Sequence, residues 1–376
     1  MLKRTGIITS LLFTLVLAGC GGGGGGNGDG GNIGASQPPL EINAGNAMQV
    51  TAAVLDASGF VVDTGNPGGP ITGVVVQGDG AQVDLAKVIR SRINLFSVLR
   101  DQNAAMLATG VIVSPTPQDC TTTGTVTISG EIADPDLMQL TAGDTLTLVF
   151  ENCNDGDGLV LNGTMNIVVA AFFGTIDLDP DAEQLFIPPY DFTFDTTLTN
   201  LSITEFASGA TFTANGDVTL REGTTDGNAF NSYFWGTSLT AKTSTTSDTL
   251  KNFLVLSTYN LTTGAYTFDS GGDNGTHDGT VCCATLSSTA LGGTVDFDTL
   301  LFFAGVGDNY PFSGQMDITG ATVTGGVAPS SVKVDAVDTQ CVQLQVDPDG
   351  RGVTDVILTS WESLPTGIPD SSLCAP

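Results

Sequence analysis

Apolar and polar residues alternate along most of this chain. From Val111 onward, short runs of Val, Ile, Leu, Phe and Thr are broken by Gly, Asn and Asp. That is the pattern of half-buried antiparallel strands joined by turns. Six runs open on a glycine: Gly124-Thr-Val-Thr-Ile, Gly163-Thr-Met-Asn-Ile, Gly216-Asp-Val-Thr-Leu, Gly264-Ala-Tyr-Thr-Phe, Gly293-Thr-Val-Asp-Phe and Gly314-Gln-Met-Asp-Ile. The second and fourth residues after each glycine share one face, so each run predicts a strand and each glycine a turn before it. The uneven spacing of the runs excludes a solenoid or a propeller of equal blades.

A different period governs the preceding segment. Asn43 to Ala57 places Ala47, Val50, Val54 and Leu55 near one face, with Asn43 or Asn46 to cap the start and Ser58-Gly59 to end it. Val50 to Val54 alone would also suit a strand. A Gly/Pro-rich loop is expected over residues 65–80. Asp84 to Ala108 then carries Leu85, Val88, Ile89, Leu95, Phe96, Leu99, Met106 and Leu107 at helical spacing. The expected fold is therefore α+β but mainly β: a large, twisted antiparallel meander with one or two N-terminal helices packed on it. Residues 43–376 make one domain, helical over 43–110 and β over 111–376.

The first residues follow another logic. Lys3 and Arg4 precede a mainly apolar stretch from Ile7 to Leu17, and Leu17-Ala18-Gly19-Cys20 closes it with small residues. The apolar run is shorter than the roughly 20 residues a membrane span requires. Residues 1–19 thus read as a signal peptide. Residues 20–42, with six glycines from Gly21 to Gly26, read as a flexible tether whose apolar content cannot offset its ordering cost. Nineteen residues of such coil reach roughly 25 Å.

Charge narrows the partners. Without Lys3 and Arg4 the chain holds nine basic against forty acidic residues, which disfavours nucleic acid and anionic lipid surfaces. Most acids are Asp, 33 of the 40, and many sit beside Gly or Asn, in turn-like contexts that suggest a solvated surface. Four of the nine basic residues, Lys87, Arg90, Arg92 and Arg100, fall on the second helix. There they are expected to complement an acidic β domain rather than form a recognition surface. Apart from Cys20 there are six cysteines: Cys120, Cys153, Cys282, Cys283, Cys341 and Cys374. In an exported chain these read as three disulfides. Cys120 with Cys153 would join neighbouring strands. Cys282 and Cys283, facing opposite ways if extended, would each take a distant partner in Cys341 or Cys374.

Candidate chemistry is sparse. Val346-Asp-Pro-Asp-Gly-Arg-Gly-Val-Thr-Asp355 has the alternating aspartates of a calcium loop, with Asp347, Asp349 and Asp355 as ligands. Arg351 stands where another oxygen donor belongs, so an acidic hairpin turn is the simpler expectation. Residues 152–158 and Asp269 to Asp278 carry a similar pattern. Ca²⁺ is the only cofactor the sequence raises. No GxSxG, HExxH or phosphate loop is present, and His277 is the only histidine. Trp361, with Phe302, Phe303, Tyr310 and Phe312, reads as core or sheet edge; Trp235 is the better candidate for an exposed aromatic.

Leu17-Ala-Gly-Cys20 resembles the lipobox of bacterial lipoproteins, which implies lipid on Cys20. Gly21 resembles the residue that directs such proteins to the outer membrane of Gram-negative bacteria. The glycine tract, Phe150-Glu-Asn-Cys153, Leu161-Asn-Gly-Thr-Met165, Gly314-Gln-Met-Asp-Ile-Thr-Gly-Ala321, Val346-Asp-Pro-Asp-Gly350 and Trp361 are together similar to a group of Gly-rich proteobacterial lipoproteins. No activity comes with that resemblance. The expectation is a lipid-anchored envelope protein that binds a protein or small-molecule partner, or serves structure. A carrier of lipid or another apolar ligand in a curved-sheet cavity is the alternative, and a carbohydrate-active hydrolase the third reading.

Overall fold

A computed structural model describes residues 37–59, 75–78, 81–93, 95, 111–132, 140–176, 186–272, 283–307 and 309–374. The expected signal peptide, Cys20, His277, Cys282 and residues 96–108 of the second helix lie outside these. The protein is α+β and mainly β, as the alternation predicts. Helix α1 (Ala47–Ala57) is followed by strands β1 (Val75–Gly78) and β2 (Ala81–Asp84), which pair with each other, and by α2 (Leu85–Arg92). The β1–β2 pair falls partly where a loop was expected: the valines near Val75 find partners in the strand leading to α2.

The remaining strands build one antiparallel sheet. They are β3 (Val111–Asp119), β4 (Thr123–Ile132), β5 (Thr145–Asn154), β6 (Leu159–Ile176), β7 (Phe186–Glu205), β8 (Thr211–Thr224), β9 (Ala229–Lys242) and β10 (Ser247–Asn260), continuing through β11 (Ala265–Gly271), β12 (Ala284–Ser288), β13 (Gly293–Val306), β14 (Ser313–Thr322), β15 (Pro329–Ala336), β16 (Cys341–Asp347) and β17 (Asp355–Ser360). Each strand pairs with its sequence neighbours, with one exception: β11 and β12 share the lane between β10 and β13. A 3₁₀ helix, Trp361–Thr366, follows β17.

The strands are longer than the glycine-led runs suggest, and Gly163 and Gly216 are not turns. Gly163 and Gly216 lie inside β6 (18 residues) and β8 (14 residues). Gly163 has φ +103°, and a Cβ there would sit 2.1 Å from the carbonyl oxygen of Asn200, a left-handed asparagine on β7. The preceding Asn162 accepts the N–H of left-handed Asn152 on β5 through Oδ1 at 2.8 Å. One step on, Asn215 accepts the N–H of Asn200 at 2.7 Å. Register shifts fall along this line in every pair from β4 to β9. Bulges of this kind bend strands and sharpen their twist, so a row of them creases the sheet.

One face of the sheet, the inner face, carries the core. On β7 the rings of Phe186, Tyr190, Phe192 and Phe194 stack, with Phe192 and Phe194 centroids 4.5 Å apart. Both helices join this buried cluster. Helix α1 stops as predicted: Ser58 donates its N–H to Val54, and Gly59, at φ +77°, donates to Asp56. It starts after Asn46, one of the two expected caps, although the Asn46 side chain serves the preceding turn and not the helix. Asn46 Oδ1 accepts the Asn43 N–H, and its amide donates to the Glu41 carbonyl. Asp84 ends β2 and caps α2 by accepting the Lys87 N–H at 3.0 Å.

The folded unit also begins earlier than the tether boundary at 42 implies. Leu40 donates to the Thr294 carbonyl and accepts from Ala321, and Ile42 donates to Ser330 Oγ. Gly293 and Gly320 admit this segment; a Cβ on Gly320 would lie 2.2 Å from the Leu40 oxygen.

Candidate functional site

Two acidic turns raised by the sequence are engaged in local hydrogen bonds and ion pairs. Asp347 Oδ1 accepts the N–H groups of Gly350 (2.8 Å) and Asp349 (3.3 Å), while Oδ2 accepts that of Gly352 (2.9 Å). The Arg351 guanidinium reaches the Gly325 carbonyl at 2.7 Å and Asp349 at 3.3 Å. Asp347 and Asp349 therefore share one hairpin turn with a cation of its own. Asp355 opens β17 in register with Val346 and accepts the Thr354 hydroxyl.

The turn at 152–158 is likewise engaged. Asp155 and Asp157 both receive Arg92, whose side chain is 5% exposed and lies over the Phe150 ring. Asp155 also takes the Thr121 N–H, and Arg90 pairs with Glu222 at 2.8 Å. These helix cations complement the sheet, as expected of them. Burial, reinforced by Glu222, pushes the Tyr190 phenol well up, and Tyr190 donates its O–H to Glu222 at 3.0 Å.

Cys120 and Cys153 form a disulfide beside this turn, as foreseen, so their sulfurs offer no thiolate to a metal with Asp155. The other pairing expectation is corrected: Cys341 bonds Cys374, not Cys282 or Cys283. The reason lies in the tail. Cys341 is in register with Ser360, whose N–H donates to Asp370, and this returns the chain so that the two cysteine Cα atoms stand 5.5 Å apart. Cys283 is also disulfide-bonded.

Trp361 is buried. Its ring stacks on Tyr310 at 5.7 Å, meets Phe303 edge-on at 6.4 Å, and donates its N–H to the Asp338 carbonyl. Phe302 and Phe312, expected beside it, are about half exposed.

Trp235 occupies a different setting, on the outer face of the sheet. It is half-buried on β9, in register with Thr219 of β8 and Leu254 of β10. Beside it the crease crosses β9 and β10. The ladder pairs Gly236 with Phe253 and Ser238 with Lys251, so Thr237 and left-handed Asn252 stand outside it. Glycine is needed at 236 because its neighbours crowd it: a Cβ there would lie 2.5 Å from the Asp217 carbonyl oxygen and 3.0 Å from the Phe253 ring. A groove of about 530 Å³ lies here, with Thr196, Val218, Gly236 and Phe253 among its lining residues. That volume lies within the usual range for small-molecule sites.

The groove's rim is polar and held in place. Thr219 donates its hydroxyl to Asp195 Oδ1 at 2.7 Å, and Thr197 donates to Asp217 Oδ1 at 2.7 Å. Each carboxylate is thereby fixed by a cross-strand hydroxyl and presents its second oxygen as an acceptor. One residue pair along, Arg221 grips Asp191 through two hydrogen bonds and lies over Tyr233. No His, Cys or Lys lines the groove among the described residues. What the rim offers is acceptors, hydroxyls, an amide and an indole. Sequence reasoning singled out Trp235 but missed the rest, because Asp195, Asp217, Thr237 and Asn252 come together only through the register of four strands. No family model, curated protein or solved structure matches this chain.

Proposed function

We propose that this chain is a lipid-anchored envelope protein of the outer membrane that works by binding, and that the groove across β7 to β10 is its binding surface. The observation that carries the reading is the groove itself: about 530 Å³, built on paired strands, with half-buried Trp235 beside carboxylates fixed by threonine hydroxyls. Sites on rigid elements lose little freedom when they bind. The stacked rings of Phe186, Tyr190, Phe192 and Phe194 fill the inner face along β7, which favours a binding surface outside the sheet over an apolar carrier inside it. The lipobox and the Gly-rich residues 21–31 support the anchor.

Two measurements test this. Labelling with radioactive palmitate is expected to mark the wild-type protein and to fail for Cys20→Ser. Native mass spectrometry of the detergent-solubilised protein is expected to show a ligand-bound population that Trp235→Ala loses. A bound lipid retained in Trp235→Ala would contradict the groove and support the carrier.

A further inference from the structure

We propose that the ligand of the groove is a neutral oligosaccharide. The assignment rests on the groove being a binding surface, and it names the ligand's chemistry. Three features of the site converge on it.

The first is the mixture of hydrogen-bonding groups. A cation needs acceptors alone and an anion needs donors alone. This groove offers both: the hydroxyl of Thr237, the amide of Asn252, and the second oxygens of Asp195 and Asp217. A sugar hydroxyl donates and accepts at once, and so matches such a set. The second is Trp235. The C–H face of a pyranose is apolar, and an indole gives it a broad apolar surface at little entropic cost, because the side chain has only two rotatable bonds. The third is charge. The chain carries a formal −29, and two carboxylates line the groove, so an anionic glycan would be repelled as it approached.

The test is titration of the detergent-solubilised full chain with maltohexaose, cellohexaose and chitohexaose, read by calorimetry, with spermidine as a cationic probe. Saturable binding of at least one oligosaccharide is expected, weakened at least tenfold in Trp235→Ala and severalfold in Thr237→Val. Thr237 is exposed, so its variant keeps the fold and decides the matter should Trp235→Ala unfold. No saturable response to any of the three sugars overturns the assignment, as does sugar binding that both variants retain. Spermidine binding that Trp235→Ala abolishes would overturn the neutral ligand while leaving the groove a binding surface.

Discussion

The two tryptophans of this protein live in opposite circumstances. Trp361 is 3% exposed, stacked on Tyr310 and hydrogen-bonded through its indole N–H. Trp235 stands half-buried beside a groove where the sheet is creased and the strand ladder leaves Thr237 and Asn252 unpaired. The same side chain closes a core in one place and furnishes a surface in the other. What differs is the backbone around it. Near Trp361 the chain returns on itself and is sealed by Cys341–Cys374. Near Trp235 a bulge interrupts the strand ladder, and glycine at 236 lets the Asp217 carbonyl and the Phe253 ring close in beside the groove.

The contrast can be broken at its buried end first. Trp361→Ala should cost about 3–5 kcal/mol, the loss expected for a large aromatic removed from a packed site. Denaturant unfolding measures it, and a cost near zero would remove the distinction between the two sites. Replacing both Cys341 and Cys374 by Ser comes next. It frees a 33-residue separation and should lower stability by about 3–4 kcal/mol. The same loss should appear in the wild-type protein once that bond is selectively reduced.

A smaller effect sharpens the buried end through pH. Asp56 on α1 lies near Tyr310, and burial lifts its carboxyl from the usual 3.8 to about 6. The folded state therefore binds this proton more tightly than the unfolded chain. Its contribution is fully present below pH 3.8 and is lost as the pH rises through 6, by up to roughly 3 kcal/mol. Asp56→Asn should flatten that part of the stability profile and raise stability at neutral pH. An unchanged profile would show that the Asp56 carboxyl does not sense the fold.

The smallest effect belongs to the groove. Trp235→Ala should change stability by only about 1 kcal/mol, since a half-buried outer-face side chain gives up less burial than a core one. Unfolding curves against those of Trp361→Ala give the comparison directly.

How much of this could be read beforehand follows from the range of the interactions. The meander was legible because alternation is local, and so was the end of α1 at Ser58-Gly59. Trp361 was legible from its apolar company, although Phe302 and Phe312 turned outward. Gly163 and Gly216 misled, because a glycine that marks a turn looks the same as one that yields to a neighbouring strand's carbonyl. The insertion of residues 38–42 at Thr294 and Ala321, the Cys341–Cys374 bond and the groove all depend on residues far apart in sequence. In the groove only Trp235 announced itself; Asp195, Asp217 and Asn252 are set side by side only by strand register.

Single-tryptophan emission tests the central claim most directly, because the chain has only two tryptophans. In Trp361→Phe the remaining signal comes from Trp235, and a bound oligosaccharide should shift and quench it saturably. In Trp235→Phe the remaining signal comes from Trp361, and the same oligosaccharide should leave it unchanged. A response from Trp361 alone, or from neither, would contradict a groove that binds at Trp235.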